Sequence, residues 1–323
     1  MIMNSTKLLF NTTMIIGVMV CICSNNWMMM WSGLEISLIS FLPLMISSNS
    51  LSSESMMKYF IIQSMSSSIL MFGLLFMMMM IKLSIFIMTI SLLLKIGMAP
   101  FHNWVLSVVE GINYESIFIL LTLMKISPLM ILSYINMIMW APIVLSLIFG
   151  AILGINQNSM RKILAYSSIY NLGFTCSCIN EMSLWIMYMM IYMFMLICII
   201  FMITKLNICY LNQVMINEFS LKTKICFWLM MMSFGGVPPM LGFLSKLMLF
   251  EFMILNNQMM ILMIMLVSSL IVMFYYIRCT YMCIMISSIL MKWNLLTLNY
   301  SMIILTLINI MVFSLMIFIK SLY

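Results

Sequence analysis

Apolar residues run through this chain in eleven stretches separated by short polar breaks. A helix that crosses a bilayer needs about 20 predominantly apolar residues. On that measure the pattern predicts spans at 7–23, 27–46, 56–80, 84–109, 116–135, 140–155, 160–179, 184–204, 225–254, 258–285 and 298–319. The ninth and tenth are long enough to be tilted or interrupted. The longest polar connection, 205–224, is too short for a nucleotide-binding or iron–sulfur domain. The expected architecture is therefore an all-α polytopic membrane protein of about 11 transmembrane helices, forming a single transmembrane domain over 1–323. Trp27, Trp140, Trp185 and Trp293 fall near predicted ends, where an aromatic belt belongs.

Composition agrees with the pattern: 66% of the residues are hydrophobic and 7% are charged, too little polar surface to coat a soluble core. The net charge of +7 comes from 14 Lys and Arg scattered singly, which argues against a nucleic-acid partner. Their placement fits a membrane better. If the N-terminus lies on one side, that side carries Lys7, Lys58, Arg161, Lys162, Lys205, Lys222, Lys224 and Lys292, against Lys82 and Lys320 on the other. Such a bias sets the N-terminus toward the cytoplasm-equivalent compartment, the matrix in a mitochondrion. The nine cysteines include no C-x-x-C pair and read as small buried hydrophobes, so no metal site is expected. The N-terminal stretch lacks an amphipathic transit signal. Forty-eight methionines suggest the codon usage of an AT-rich organelle genome.

Four ionisable side chains interrupt the spans: Glu35 in the second, Lys95 in the fourth, Lys125 in the fifth and Lys246 in the ninth. Left unpaired, they would together cost about 10–14 kcal/mol on insertion scales, comparable to the whole stability of a domain. They cannot face lipid. Prolines accompany them: Pro43 follows Glu35, Pro100 follows Lys95, Pro128 follows Lys125, and Pro238 and Pro239 precede Lys246. Proline removes a backbone donor and clashes with the preceding turn, and irregular backbone at membrane depth is tolerated only inside protein or along a wet cavity. Lys95 to Trp104 and Ser233 to Lys246 therefore predict two broken helices. They are the fourth and ninth spans, an odd offset of five, so they run in opposite directions, as inverted repeats require. The approximate repeats are 7–135 and 140–285, with a final helix at 298–319. A buried lysine whose proton affinity responds to a moving carboxylate can pass protons. The competing explanation is a set of static ion pairs, or lysines that reach the interface. His102, the only histidine, is a candidate relay near neutral pH or a structural hydrogen-bonder.

Three stretches, Trp31-Ser32-Gly33-Leu34-Glu35-Ile36, Lys95 through Trp104, and Gly154 through Ile169, together with Gly235 to Lys246, resemble the antiporter-like membrane subunits of respiratory complex I. The resemblance implies a proton-translocating subunit with no redox centre, in which Glu35 pairs with Lys95 and protons pass by Lys125 to Lys246 along a hydrated axis. It implies that NADH, FMN, iron–sulfur clusters and ubiquinone belong to partner subunits, and that the partners are other complex I membrane subunits, further antiporter-like ones among them, and membrane lipids. It places the chain in the mitochondrial inner membrane, its N-terminus facing the matrix. Two positions depart from the family pattern. Asn171 stands where His is common and cannot titrate, and Ser245-Lys246-Leu247 replaces Pro-Lys-Trp. Two other readings remain open: a structural membrane subunit with static buried pairs, and a stand-alone cation/proton antiporter.

Overall fold

A computed structural model of the chain describes residues 5–79, 83–135, 139–216, 221–287, 304 and 306–309. Among the described residues every regular element is helical, and the single β-bridge, Ser159 to Tyr210, belongs to no strand. Six helical stretches are long and apolar enough to cross a membrane, Ser5–Cys23, Trp27–Met45, Ser50–Met78, Tyr114–Ile135, Met182–Leu206 and Met259–Tyr281. Two shorter apolar helices, Ser84–Ile96 and Trp140–Ile155, add to them. The chain is an integral membrane protein. The expected last span, 298–319, lies almost wholly outside the described residues, as do Lys82, Lys292, Trp293 and Lys320.

Two compact units divide the chain, Met1–Ser146 and Leu147–Tyr323. The first unit contains α1 (Ser5–Cys23), α2 (Trp27–Met45), α3 (Ser50–Met78), α4 (Ser84–Ile96), α5 (Asn103–Gly111), α6 (Tyr114–Leu121) and α7 (Leu123–Ile135). Lipid supplies no hydrophobic drive between helices, so close approach of small residues has to bring them together. Gly17 and Cys21 of α1 meet Gly33 and Ser37 of α2 in this way. A Cβ on Gly33 would stand 2.8 Å from both the Cys21 amide nitrogen and the Gly17 carbonyl. That crossing fixes the helix that carries Glu35.

α8 (Trp140–Ile155) leads into the second unit, which holds α9 (Met160–Ser177), α10 (Met182–Leu206), α11 (Leu211–Ile216), α12 (Leu221–Gly235), α13 (Leu241–Leu255) and α14 (Met259–Ser287). Its core is aromatic: Tyr170, Phe174, Tyr275, Tyr276 and Trp185 are almost fully buried.

Proline alone does not decide where these helices stop. Pro43 lies inside α2, which runs on to Met45, and Pro128 lies inside α7. Where 84–109 and 225–254 reads as single apolar runs, helix ends at Ile96 and resumes at Asn103, and ends at Gly235 and resumes at Leu241. A third interruption, at Thr122, separates α6 from α7, and sequence reading missed it. Thr122 Oγ1 donates to the Phe118 carbonyl at 2.6 Å, a back-bond of the kind that bends helices. The polar connection 205–224 also holds a short helix, α11.

Candidate functional site

Each unit contains one helix end built for a buried charge. In the first, α4 closes at Gly97, whose φ of 74° lies in the left-handed region. The Gly97 amide donates to Leu94 O at 3.3 Å and the Met98 amide to Leu93 O at 3.2 Å. This is a Schellman closure, which glycine enters without steric penalty. Side chains add donors at the same end: Gln63 Nε2 donates to the orphan Lys95 O at 3.1 Å and Trp104 Nε1 gives Leu94 O a second donor at 3.1 Å. Tyr59 packs between Phe41 and Trp104, with ring centroids at 5.4 and 5.9 Å.

Lys95 therefore sits in the last turn of α4, where a cation complements the negative end of the helix dipole. Its Nζ is 3.6 Å from Glu35 Oε1; the lysine side chain is 4% exposed and the glutamate 24%. Lys125, in the first turn of α7, is also buried. Lys95 and Lys125 line one cavity of about 20 Å³, with Ser37, Gln63 and Ser127 among its polar neighbours. That is room for about one water molecule, and a polar surround gives such a water partners. His102 is buried where α5 begins, hydrogen-bonded to the Pro100 backbone, and does not line this cavity.

The second unit repeats the closure. α12 ends at Gly235 and closes at Gly236, with φ of 86°; the Gly236 amide donates to Ser233 O at 3.2 Å and the Val237 amide to Met232 O at 3.3 Å. Here the terminal carbonyl is met by a charge: Lys246 Nζ, from α13, donates to Gly235 O at 2.7 Å. Glycine at 236 makes room, because a Cβ there would stand 3.0 Å from Nζ and 3.2 Å from Cδ. Nζ also lies 5.4 Å from the Tyr170 ring centroid. Lys246, Ser245, Asn171, Tyr188 and Tyr192 line a second cavity of about 20 Å³. Asn171 Oδ1 accepts from Tyr188 OH at 2.7 Å, so this position is occupied by a neutral hydrogen-bonded pair.

Glu35, Lys95 and Lys125 are thus brought together in the first unit, and Lys246 has its own cavity in the second. Gln63, Tyr59, Tyr188 and Tyr192 were not singled out from sequence; a Gln among apolar residues of a span was the one legible signal. Among the described residues no group of three or more His, Cys, Asp or Glu side chains could hold a metal ion.

A family described as NADH:quinone oxidoreductase/Mrp antiporter transmembrane subunits matches residues 24–82 and 76–272. The chain belongs to this family. Among its relatives are proteins named NADH-ubiquinone oxidoreductase chain 2. The one from Anopheles gambiae is 36% identical over 301 residues, covering 89% of this chain and 88% of that protein. The one from Locusta migratoria is 36% identical over 306 residues, covering 90% and 87%. The same fold occurs in a chain of respiratory complex I from Thermus thermophilus, with TM-score 0.83 at 16% identity over 97% of this chain and 78% of that one. A chain of the Mrp complex from a Dietzia species gives TM-score 0.73 at 14% identity, over 84% and 59%. Members of this family are antiporter-like membrane subunits, which agrees with the apolar helices and buried lysines.

Proposed function

We propose that the chain is a proton-translocating membrane subunit of NADH:ubiquinone oxidoreductase, carrying no redox centre and moving protons from matrix to intermembrane space. It works in the mitochondrial inner membrane beside other membrane subunits of the complex, and the redox cofactors belong to partner subunits. Eleven spans, two of them interrupted at Gly97 and Gly236, and an N-terminus facing the matrix complete this reading; the relatives' names and the bias of Lys and Arg support it.

One observation carries it: Lys95, with Glu35 at 3.6 Å, shares a water-sized cavity with Lys125. An opposite charge nearby favours the charged form of an amine, and dry surroundings disfavour it. Movement of the Glu35 carboxylate therefore changes how tightly Lys95 holds its proton, and one bridging water lets Lys125 take it. Lys246 receives the proton further along and returns to its seat on Gly235 O when charged. His102 serves as a relay toward the aqueous side. The test is proton pumping per NADH oxidised in membranes carrying Lys125→Ala or Lys246→Ala. Lowered stoichiometry is expected; normal stoichiometry with either substitution overturns the reading.

A static structural role is favoured by one contact, the 2.7 Å bond by which Lys246 caps α12. Under that role Lys246→Gln, which keeps a donor, preserves both assembly and pumping.

A further inference from the structure

The second unit has an apolar groove of about 380 Å³ between α8 and α14, lined by Ile148, Ala151 and Ile152 on one side and Met263, Val267 and Ile271 on the other. Its volume lies in the range of ligand-binding clefts. The groove is dry in character: the hydroxyl of Ser268, its one polar lining side chain, donates to Met265 O at 3.1 Å within its own helix. Ile152, Met263 and Val267 are 49%, 63% and 60% exposed, so the wall is open to whatever surrounds the bundle.

A cation stands at one end. Arg278 lies two turns beyond Ile271 on α14, and its Nη1 donates to Ile155 O at 2.7 Å, the last residue of α8 and one turn beyond Ile152. The side chain is exposed. A guanidinium has five N–H donors, and this bond occupies one of them. Arg278 is about 28 Å along α14 from Met259, at about 1.5 Å per residue. Against a hydrocarbon core of about 30 Å, a helix that enters at Met259 brings Arg278 to the opposite headgroup level. Arg161 and Lys162 open α9 just after the short loop that follows Ile155, which adds cations near the same level.

We infer that this groove is a binding site for an anionic phospholipid, with one acyl chain lying between α8 and α14 and the headgroup phosphate on Arg278. Charge complementarity selects the occupant. An apolar channel alone would accept any acyl chain or a neighbouring helix, but the free N–H groups of a guanidinium at the headgroup end match phosphate oxygens in a forked geometry. The inference is independent of proton translocation, because none of its residues lines either lysine cavity.

The test uses the intact complex in membranes, with a photoactivatable phosphatidylglycerol whose acyl chain carries the reactive group, and the matched phosphatidylcholine as comparison. Labelling by the anionic probe should map to residues 148–152 and 263–271 and exceed that by the zwitterionic probe. Arg278→Gln should lower it about fivefold, the loss of one cation near a membrane surface. Ile152→Trp, which fills the groove but leaves Arg278 in place, should abolish it. Rates of NADH oxidation confirm that both variants assemble. Equal labelling by the two lipids, labelling unchanged in both variants, or crosslinks from this groove to a neighbouring protein subunit in place of lipid would overturn the inference.

Discussion

Gly97 and Gly236 close their helices with the same backbone turn. Each takes a left-handed φ, 74° and 86°, and each is followed by an amide that reaches back five residues, Met98 to Leu93 and Val237 to Met232. A further turn also matches, Phe101 to Met98 O at 2.8 Å and Met240 to Val237 O at 2.9 Å. What differs is the capping chemistry. The first closure uses the neutral donors Gln63 and Trp104, and the second uses the Lys246 ammonium. One backbone device thus serves two units, and side chains supply the charge.

Substitution by alanine should therefore hurt at both glycines. The left-handed region costs an L-residue about 1–2 kcal/mol. At Gly97 a Cβ would also collide with Val105 and stand 3.0 Å from the Trp104 ring, and at Gly236 it would press on Lys246. Gly97→Ala is expected to lower the thermal stability of the assembled complex more than Gly236→Ala, because the flexible lysine stem yields where the Trp104–Val105 packing does not. Melting temperatures of the two variants check the order.

Gln63→Leu isolates the neutral cap. The substitution keeps shape and apolar packing while leaving Lys95 O without its 3.1 Å donor. A buried acceptor stripped of its partner costs about 1–3 kcal/mol. Amide hydrogen exchange should rise at residues 95–98 and stay unchanged in α12, whose cap comes from Lys246. Unchanged exchange at 95–98 would mean the bond carries no stability.

Six of the spans, the interruptions at Gly97 and Gly236, and the burial of Lys95, Lys125 and Lys246 were legible because each is a local signal: an apolar run, a Gly or Pro in it, an ionisable residue where none is tolerated. The caps were not. Gln63 and Lys95, or Lys246 and Gly235, are joined only after distant segments pack. Proline was an incomplete guide, since α2 and α7 accept Pro43 and Pro128 in their interiors while the interruption at Thr122 carries no proline. The shared cavity of Lys95 and Lys125 depends on how α4 and α7 pack, which sequence spacing does not encode.

Removing Glu35 and Lys95 singly and together separates a working pair from a static one. Glu35→Gln leaves a buried ammonium without its counter-charge; a fully buried pair broken this way loses about 3–5 kcal/mol, and the partial exposure of Glu35 places the expected loss below that range. The double variant Glu35→Gln/Lys95→Met removes the stranded charge and should recover assembly. Pumping per NADH should stay low in the double variant if the pair conducts. Recovery of both, read on a native gel and by proton-to-NADH stoichiometry, would identify a static pair.

The α1–α2 crossing offers a sharper contrast between two glycines. Replacing Gly by Ala in a helix gains up to about 1 kcal/mol of propensity, whereas overpacking costs about 1–3 kcal/mol. At Gly33 the new methyl would meet backbone, the Cys21 amide and the Gly17 carbonyl, both at 2.8 Å, and backbone in a packed helix cannot step aside. At Gly73 the nearest atom is Met88 Cγ at 2.6 Å, part of a flexible side chain, with the Met88 amide behind it at 3.3 Å. Overpacking wins at the first site and propensity offsets it at the second. Gly33→Ala should lower the melting temperature and, by shifting the helix that carries Glu35, also lower pumping. Gly73→Ala should leave both close to wild type. Equal melting temperatures for the two variants would show that α1 is free to move away from α2, and that the crossing does not hold Glu35 in place.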